Sequence, residues 1–420
     1  MTARRRQRSS LADSEAEWVF HADDSSVFAA LANGGHATGL REYFGADVYA
    51  QLAELATRAI RVKIRRGPRI LILPGIMGSK LGLPGSSARR SQVLWIDPAA
   101  IAAGRLTELA LPAGRVLQPM GVLLFAYARL QLELRLAGLD AGFFPYDWRL
   151  SLDELGRALA ARLRANGEPV ILIGHSMGGL IARMALNGLP KRYVRKLILI
   201  GTPNFGAFAP VQALRGTYPF VRKVAMFDPR HSPEYLAETV YHTFPGLYHL
   251  LPLRRASRDI DLTDAAEWPQ DGLQPDAALL AQVAPMRAKL APADSRMVQI
   301  LGVNRQTIVG VRRKARGFAY ELGNRGDGTV PVALALLPGL ATYFVEESHA
   351  SLLSNPAVIR TIIDVIRRGR SRALPQRCRV RRAPRAVIDD AALRTADGPK
   401  IDWRRLDPVQ RAAILDGLNR

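Results

Sequence analysis

Cysteine is almost absent from this sequence. Cys378 is the single cysteine in 420 residues, so no disulfide can form within the chain and a reducing compartment is permitted. No apolar stretch is long enough to cross a membrane as a helix. The charged opening, residues 1–10, has no apolar segment behind it, so we expect no secretory signal peptide. We therefore expect a cytoplasmic protein, and export without a cleaved signal is the alternative.

Acidic residues are scarce relative to basic ones. The chain holds 59 Lys and Arg against 37 Asp and Glu, a formal net charge of +22. The arginines are spread through every segment and form no block interleaved with aromatic residues, which disfavours nucleic acid as a partner. The bias favours a solvated basic surface, and peripheral contact with an anionic membrane surface is the functional alternative. His, Cys and Asp form no cluster at metal-ligand spacing, so we predict neither a metal site nor a cofactor.

The most informative stretch of the chain runs from Val170 to Leu186. An apolar run predicts a buried strand, the turn Gly-His-Ser-Met-Gly follows at residues 174–178, and apolar residues then recur at helical spacing. Strand, G-x-S-x-G and helix together predict a nucleophile elbow, in which Ser176 projects alone from a tight turn. Met177 then supplies one backbone N–H to an oxyanion hole.

A second glycine-containing loop follows another predicted strand. Residues 70–73 are apolar, and Pro74-Gly75 ends that run. Acyl transfer through a serine needs a second N–H donor from an early strand-to-helix loop. We assign it to Ile76, because Gly75 lets the chain turn its next N–H inward.

Asp327 and His349 complete the predicted catalytic residues. Each follows a predicted strand, and they come after Ser176 in the order serine, acid, histidine, which is that of the α/β-hydrolases. Asp147 precedes the serine, and Asp294 lies at the entry end of a strand, so both fit the acid role less well. His175 adjoins the nucleophile, and we expect it to pack or to hydrogen-bond.

Strands and helices alternate along most of the chain, which predicts an α/β fold with a mostly parallel sheet and helices on both faces. We divide it into a helical extension at residues 1–66, a sheet domain at 67–370 and a basic tail at 371–420. Residues 40–60 suit one amphipathic helix or two short ones. The strand rhythm stops at about residues 207–295, which we interpret as an inserted cap or lid. An interval rich in arginine precedes Asp327.

Six motifs together make the chain resemble the lecithin:cholesterol acyltransferase-like family of α/β-hydrolases. They are Leu-Pro-Gly-Ile-Met-Gly-Ser-Lys-Leu (73–81), Phe-Pro-Tyr-Asp-Trp-Arg (144–149), Gly-His-Ser-Met-Gly-Gly (174–179), Gly-Thr-Pro-Asn-Phe-Gly (201–206), Gly-Asp-Gly-Thr-Val-Pro (326–331) and Ser-His-Ala-Ser-Leu-Leu-Ser-Asn-Pro (348–356). The resemblance implies an oxyanion hole at Ile76 and Met177. It also implies that Trp148 lies near the acyl site and contacts substrate. For Asp147 and Arg149 of the same motif, the alternative to a role at that site is an ion pair that holds their loop.

These residues predict a serine hydrolase that cleaves carboxylic esters, with a lipid ester as substrate, through an acyl-enzyme. A lipid O-acyltransferase with the same catalytic residues is the alternative, because only the group that reaches the acyl-enzyme differs. A catalytically silent lipid-binding protein is a third hypothesis, disfavoured because all three catalytic residue types are present.

Overall fold

The structure is a computed structural model. It describes residue 15 and residues 17–86, 91–253, 260–381, 386–395, 399–407 and 410–411. Its strands are β1 Arg69–Leu73, β2 Ser79–Leu83, β3 Gln92–Trp95, β4 Gln118–Val122, β5 Ala141–Phe143, β6 Val170–His175, β7 Val194–Ile200, β8 Met297–Gly302, β9 Thr307–Arg313, β10 Phe318–Gly323, β11 Ala341–Val345 and β12 Ala386–Asp389.

The helices are of mixed length, and the longest lie outside the cap interval. They are α1 Asp24–Asn33, α2 Ala37–Phe44, α3 Ala46–Ala59, α4 Pro98–Ala102, α5 Leu124–Leu136, α6 Leu152–Asn166, α7 Met177–Leu186, α8 Ala209–Leu214, α9 Pro219–Ala225, α10 Pro233–Thr239, α11 Pro245–Tyr248, α12 Ala277–Ala281, α13 Val283–Ala288, α14 Val332–Ala335, α15 Pro356–Arg368 and α16 Asp390–Arg394. In the described ranges, none has both the length and the apolar character to span a membrane.

A six-stranded sheet forms the centre of the fold. Its order is β11-β8-β7-β6-β1-β5, and every neighbouring pair is parallel. All residues of β6 and β8 are buried. Since successive side chains of a strand point to opposite faces, both faces of the sheet are covered. The predicted α/β architecture is confirmed.

The helices that cover this sheet have local sequence signals at their ends. Helix α6 begins with a capping box, in which Ser151 accepts from the Glu154 backbone N–H and the Glu154 side chain accepts from that of Ser151. It ends at Gly167, whose φ of 75° is unfavourable for other residues. Helix α6 packs on α7, while α5 packs on α3 and α15.

The extension at residues 1–66 packs on the sheet domain through its described helices. The predicted amphipathic segment forms the two short helices α2 and α3, separated at Gly45 with a φ of 79°. Helix α3 contacts α5, and the Asp24 carboxylate accepts from the Val122 backbone N–H at 3.1 Å. The buried Lys80 ammonium donates to the Ala22 carbonyl. The boundary at residue 66 stays a prediction.

Two small antiparallel sheets were not predicted from the sequence. One has the order β3-β2-β4 and the other β12-β10-β9. The hairpin β9–β10 occupies the arginine-rich interval before Asp327, and β12 comes from the segment that we predicted to be a basic tail. Between β7 and β8 the described chain forms the short helices α8–α13 and two 3-10 helices, Tyr241–Thr243 and Ala265–Glu267, within the interval interpreted as the cap.

Candidate active site

Ser176 lies in a strained turn between β6 and α7. Its φ is 51° and its ψ is −124°, a conformation that costs a non-glycine residue on the order of 1–3 kcal/mol. The Ser176 N–H donates to the Ile200 carbonyl at 2.9 Å, which fixes the turn against β7. A Cβ on Gly178 would come within 2.5 Å of the Leu73 carbonyl oxygen, so only glycine allows this approach to β1. The nucleophile elbow thus has the predicted strand, turn and helix.

The loop after β1 runs directly against this serine. A Cβ on Gly75 would lie 3.0 Å from the Ser176 Cβ and 3.6 Å from its Oγ. Within the described residues, neither the Ile76 nor the Met177 backbone N–H donates to another group, and Met177 is the first residue of α7. Two N–H groups without partners beside a serine hydroxyl are what an oxyanion hole requires. The roles of Ile76 and Met177 nevertheless stay predictions.

His349 and Asp327 form a hydrogen-bonded pair. The His349 Nδ1 lies 2.7 Å from the Asp327 Oδ2, and the His349 backbone N–H donates to the Asp327 carbonyl at 2.8 Å. The other carboxylate oxygen accepts from the backbone N–H groups of Thr329 and Val330 at 3.0 and 2.7 Å. Asp327 is 2% exposed. The carboxylate is therefore held rigidly, and it favours the tautomer of His349 that carries its proton on Nδ1 and has a lone pair on Nε2.

The two competing acids are paired elsewhere. Asp294 contacts Arg296 through two oxygens, with Oδ2 to Nε at 3.0 Å, and Asp147 binds Arg149 with Oδ2 to Nη2 at 2.6 Å. Among the described residues, Asp327 alone of the three contacts His349. The ion-pair interpretation of Asp147 and Arg149 is confirmed, and Arg149 also donates to the Leu109 carbonyl at 2.8 Å.

A buried tyrosine and His175 connect the loops of the site. The Gly75 N–H donates to the Tyr127 hydroxyl oxygen at 2.9 Å, and that hydroxyl lies 3.1 Å from the His175 Nδ1. The His175 Nε2 lies 3.2 Å from the His349 carbonyl oxygen. A carbonyl can only accept, so Nε2 carries the proton and the tyrosine donates to Nδ1. Burial, followed by the charge of His349, lowers the pKa of His175 to about 3, which keeps its ring neutral.

Sequence reasoning predicted a packing or hydrogen-bonding role for His175 but missed Tyr127. Tyr127 lies on α5, 48 residues before His175. Nothing local distinguishes it from the other apolar positions of that helix. One hydroxyl and one imidazole thus link the loop after β1, the turn at Ser176 and the loop that contains His349.

The predicted catalytic residues open into one cavity of about 650 Å³. Ser176, Asp327 and His349 line it, together with Ile76 and Met77 from the loop after β1. Apolar side chains of the cap form a further wall, among them Ala213, Phe220, Leu247 and Leu250. The cavity has the size and apolar character of a site for a small organic ligand.

Trp148 does not line this cavity, which corrects its expected contact with substrate. Its side chain is fully buried, and its indole N–H donates to the Ser79 carbonyl at 3.1 Å. Its ring meets Trp95 and Phe244 edge to face, with centroids 5.3 and 5.6 Å apart. Trp148 therefore joins Phe244 of the cap to β2. The position of Trp148 depends on packing against residues that are remote in sequence, and its local motif does not reveal these contacts.

The described residues contain no group of three or more His, Cys, Asp or Glu side chains close enough together to bind a metal ion. The groups that line the cavity include a serine, a histidine and a carboxylate. Ser176 follows β6, His349 follows β11, and Ile76 follows β1, so all three lie at the carboxyl ends of parallel strands. Asp327 is brought to the same edge by a parallel bridge with Arg305 after β8. These features define an α/β-hydrolase fold.

The family comparison agrees with this fold class. The family model described as lecithin:cholesterol acyltransferase matches residues 138–311, which is less than half of the chain. Over those residues the match confirms the resemblance that the motifs indicated. The matched range contains Ser176 and Met177 and ends before Asp327 and His349.

Individual proteins are similar to this chain over a short range or at low sequence identity. An uncharacterised protein of Saccharomyces cerevisiae is 37% identical over 67 residues, which are 14% of this chain and 10% of the length of that relative. Among solved structures, the mature Bacillus licheniformis lipase BlEst2 is 16% identical, with a TM-score of 0.35 over 70% of this chain and 89% of that one. A chain of the Tle4–Tli4 complex is 12% identical, with a TM-score of 0.42 over 84% of this chain and 98% of that one. Phospholipase PlaB of Legionella pneumophila is 13% identical, with a TM-score of 0.33 over 71% of this chain and 59% of that one.

Proposed function

We propose that this protein is a serine hydrolase that cleaves carboxylic esters of lipids through a covalent acyl-enzyme. The observation that carries the proposal is the His349–Asp327 pair, which lines the same cavity as the strained Ser176. The cavity is largely apolar, which suits an acyl chain better than a polar substrate.

The reaction follows from the groups present. The Ser176 Oγ attacks the acyl carbonyl carbon as the His349 Nε2 takes its proton. The negative charge on the carbonyl oxygen is stabilised by the N–H groups of Ile76 and Met177. As the tetrahedral intermediate collapses, His349 gives that proton to the leaving alcohol, and the acyl group stays on the serine. Water then attacks the acyl-enzyme by the same steps in reverse and releases the acid.

Asp327 stabilises the imidazolium that forms during each step, and it does not itself take a proton. Its own hydrogen bonds with Thr329 and Val330 keep the carboxylate in place. His175 is neutral and bonded at both ring nitrogens, so it positions the loops and does not compete as a base.

Labelling by a fluorophosphonate tests the nucleophile. We expect the protein to react at Ser176, and Ser176→Ala to lose both labelling and hydrolysis of p-nitrophenyl butyrate. Ser354→Ala, at a serine whose hydroxyl donates to the Ser351 carbonyl, is the matched control and should keep both. Labelling that persists in the Ser176→Ala variant would refute the assignment, and an unlabelled wild-type protein would favour a silent binding protein.

Acyl transfer to an alcohol is the second candidate, and the match to the lecithin:cholesterol acyltransferase family favours it. The acyl-enzyme and its catalytic residues are the same in both reactions. Mass spectrometry after exposure to a lipid extract, with and without added alcohols, separates them. A new ester formed at the expense of free acid supports transfer, and free acid alone supports hydrolysis.

A further inference from the structure

The C-terminal segment at residues 386–394 contributes a wall to the active-site cavity. Strand β12 adds to the hairpin β9–β10, with Ile388 paired with Tyr320 in antiparallel register. Ile388 of β12 and Leu393 of α16 both line the cavity that contains Ser176. Neither residue belongs to the range that matches the family model.

One face of this small sheet is apolar and is turned to the cavity. Ile308 of β9 and Leu322 of β10 are register partners, and both line the cavity. Val387, next to Ile388, is 56% exposed and does not line it. This agrees with the alternation of side chains along a strand.

The hairpin begins beside the catalytic acid. The Thr307 hydroxyl, at the first residue of β9, accepts from the Gly328 backbone N–H at 2.8 Å. Ile308 follows directly, and its partner Leu322 lies one strand across. Ile388 lies on the next strand, β12, opposite Tyr320. Tyr320 precedes Leu322 by two residues, a distance of about 7 Å along β10. The wall therefore extends outward from the reacting atoms.

A buried ion pair anchors the segment to the cap. The Asp390 Oδ2 accepts from the Arg215 Nε at 2.9 Å, and its Oδ1 accepts from the Tyr320 hydroxyl at 2.7 Å. Arg215 is fully buried and Asp390 is 2% exposed, so loss of either partner would strand a buried charge. This anchor fixes the position of Ile388, two residues before Asp390.

A second attachment lies beyond α16. The Lys400 ammonium donates to the carbonyls of Ala225, Asp228 and His231 at 2.7–2.8 Å. The Ile401 N–H donates to the Met226 carbonyl at 2.8 Å. The segment is thus held against the cap at Asp390, between its two wall residues, and again at Lys400 beyond α16.

We propose that Ile388 and Leu393 determine the length of acyl chain that the enzyme accepts. The proposal rests on the proposed function, because it assumes that the cavity holds the acyl group of the ester. A short acyl group would contact the wall only near Ile308 and Leu322, whereas a long one would reach the C-terminal residues. A bulkier side chain at either C-terminal position should therefore exclude long chains and spare short ones.

The test compares p-nitrophenyl butyrate and palmitate as substrates of the full-length protein. We expect Ile388→Phe and Leu393→Phe to lower kcat/KM for palmitate about tenfold or more, as misfits of this size in apolar pockets do. Values for butyrate should stay within about twofold. Val387→Phe is the matched control, with the same new side chain on the opposite face of β12, and should leave both values unchanged. Circular dichroism and thermal unfolding report whether each variant folds.

Binding of fatty acids to the Ser176→Ala protein, with and without Ile388→Phe, measures chain length without catalysis. Weaker binding of palmitate but not of octanoate in the double variant supports the proposal. An unchanged preference in both assays overturns it while the proposed function stands. If the wild-type protein hydrolyses neither ester and is not labelled at Ser176, the proposed function fails, and the binding assay still decides whether Ile388 limits chain length.

Discussion

Removal of the Tyr127 hydroxyl should impair catalysis without removing a catalytic residue. Tyr127 is 3% exposed, and its oxygen contacts the Gly75 N–H at 2.9 Å and the His175 Nδ1 at 3.1 Å. Tyr127→Phe leaves both groups buried and unpaired, at about 1–3 kcal/mol each. We expect the free energy of unfolding to fall by about 2–6 kcal/mol in total.

The same change should lower kcat. Gly75 precedes Ile76 in the oxyanion loop, and His175 precedes Ser176 and contacts the His349 carbonyl. Loss of one oxyanion donor costs about 10²–10³ in kcat. Tyr127→Phe loosens the loop but keeps its donor, so we expect a smaller loss of about tenfold to a hundredfold. KM should change little, since the phenyl ring still occupies its place in the wall.

The measurement is kcat and KM for p-nitrophenyl butyrate, beside urea unfolding. Tyr343→Phe is the control, because Tyr343 is 1% exposed and its hydroxyl accepts from the Ser371 N–H at 3.0 Å, away from the cavity lining. Both variants should lose stability, and only Tyr127→Phe should lose kcat. A wild-type kcat in Tyr127→Phe, or an equal loss in both variants, would show that the hydroxyl does not position the site.

Three further predictions concern the acid, the surface and a buried histidine. Asp327→Asn should lower kcat by about 10⁴, which is the cost of the comparable change in a serine protease, whereas Asp294→Asn should keep near-normal turnover; the reverse outcome would disprove the assignment. With a net charge of +22, the protein should bind anionic vesicles more tightly than zwitterionic ones, and less so as salt rises; equal binding in a sedimentation assay would leave the charge as a solvated surface. Burial, with the charge of Arg287, lowers the pKa of His249 to about 4, so between that pH and about 6.5 the unfolded chain binds one more proton and stability falls as pH falls. His249→Gln should therefore reduce the slope of the unfolding free energy against pH by about 1.4 kcal/mol per pH unit in this window, and equal slopes in urea titrations would contradict the lowered pKa.

The parts of the site that the sequence predicts are those encoded in contiguous residues. A buried strand, a turn containing Ser176 and a buried helix follow one another without interruption, so their local pattern carries their geometry. The parallel sheet follows similarly from the alternation of strands and helices. Asp327 could be preferred among three acids because chain order in this fold constrains which loops meet.

The hairpin β9–β10 escaped prediction for a local reason. Strand β9 ends in Arg312 and Arg313, which are exposed. The register also shifts between Glu321 and Leu322, and a bulge of this kind interrupts the alternation of polar and apolar residues. A run of charged residues without a clean period of two is typical of a loop.

The remaining misses depend on contacts between residues that are remote in sequence. Arg215 and Asp390 are 175 residues apart, and Tyr127 and His175 are 48 apart. From the sequence alone, Arg215 and Asp390 would each be predicted as exposed charges, and Tyr127 as an aromatic residue of the core. Trp148 was misplaced for the same reason, because its burial depends on Phe244 in the cap.

The proposed chemistry depends on loops that the local sequence predicts, whereas the proposed selectivity depends on contacts between residues remote in sequence. The proposed catalytic residues come from loops at the strand ends, which the parallel sheet brings together whatever the cap contains. The cavity wall is assembled from the cap, the hairpin and the C-terminal segment, and a buried ion pair joins the first to the last. Under the proposed function, changes in the wall would alter which acyl group fits without moving Ser176 or His349. We therefore expect substrate preference to vary with residues such as Ile388 and Leu393, which lie outside the range that matches the family model.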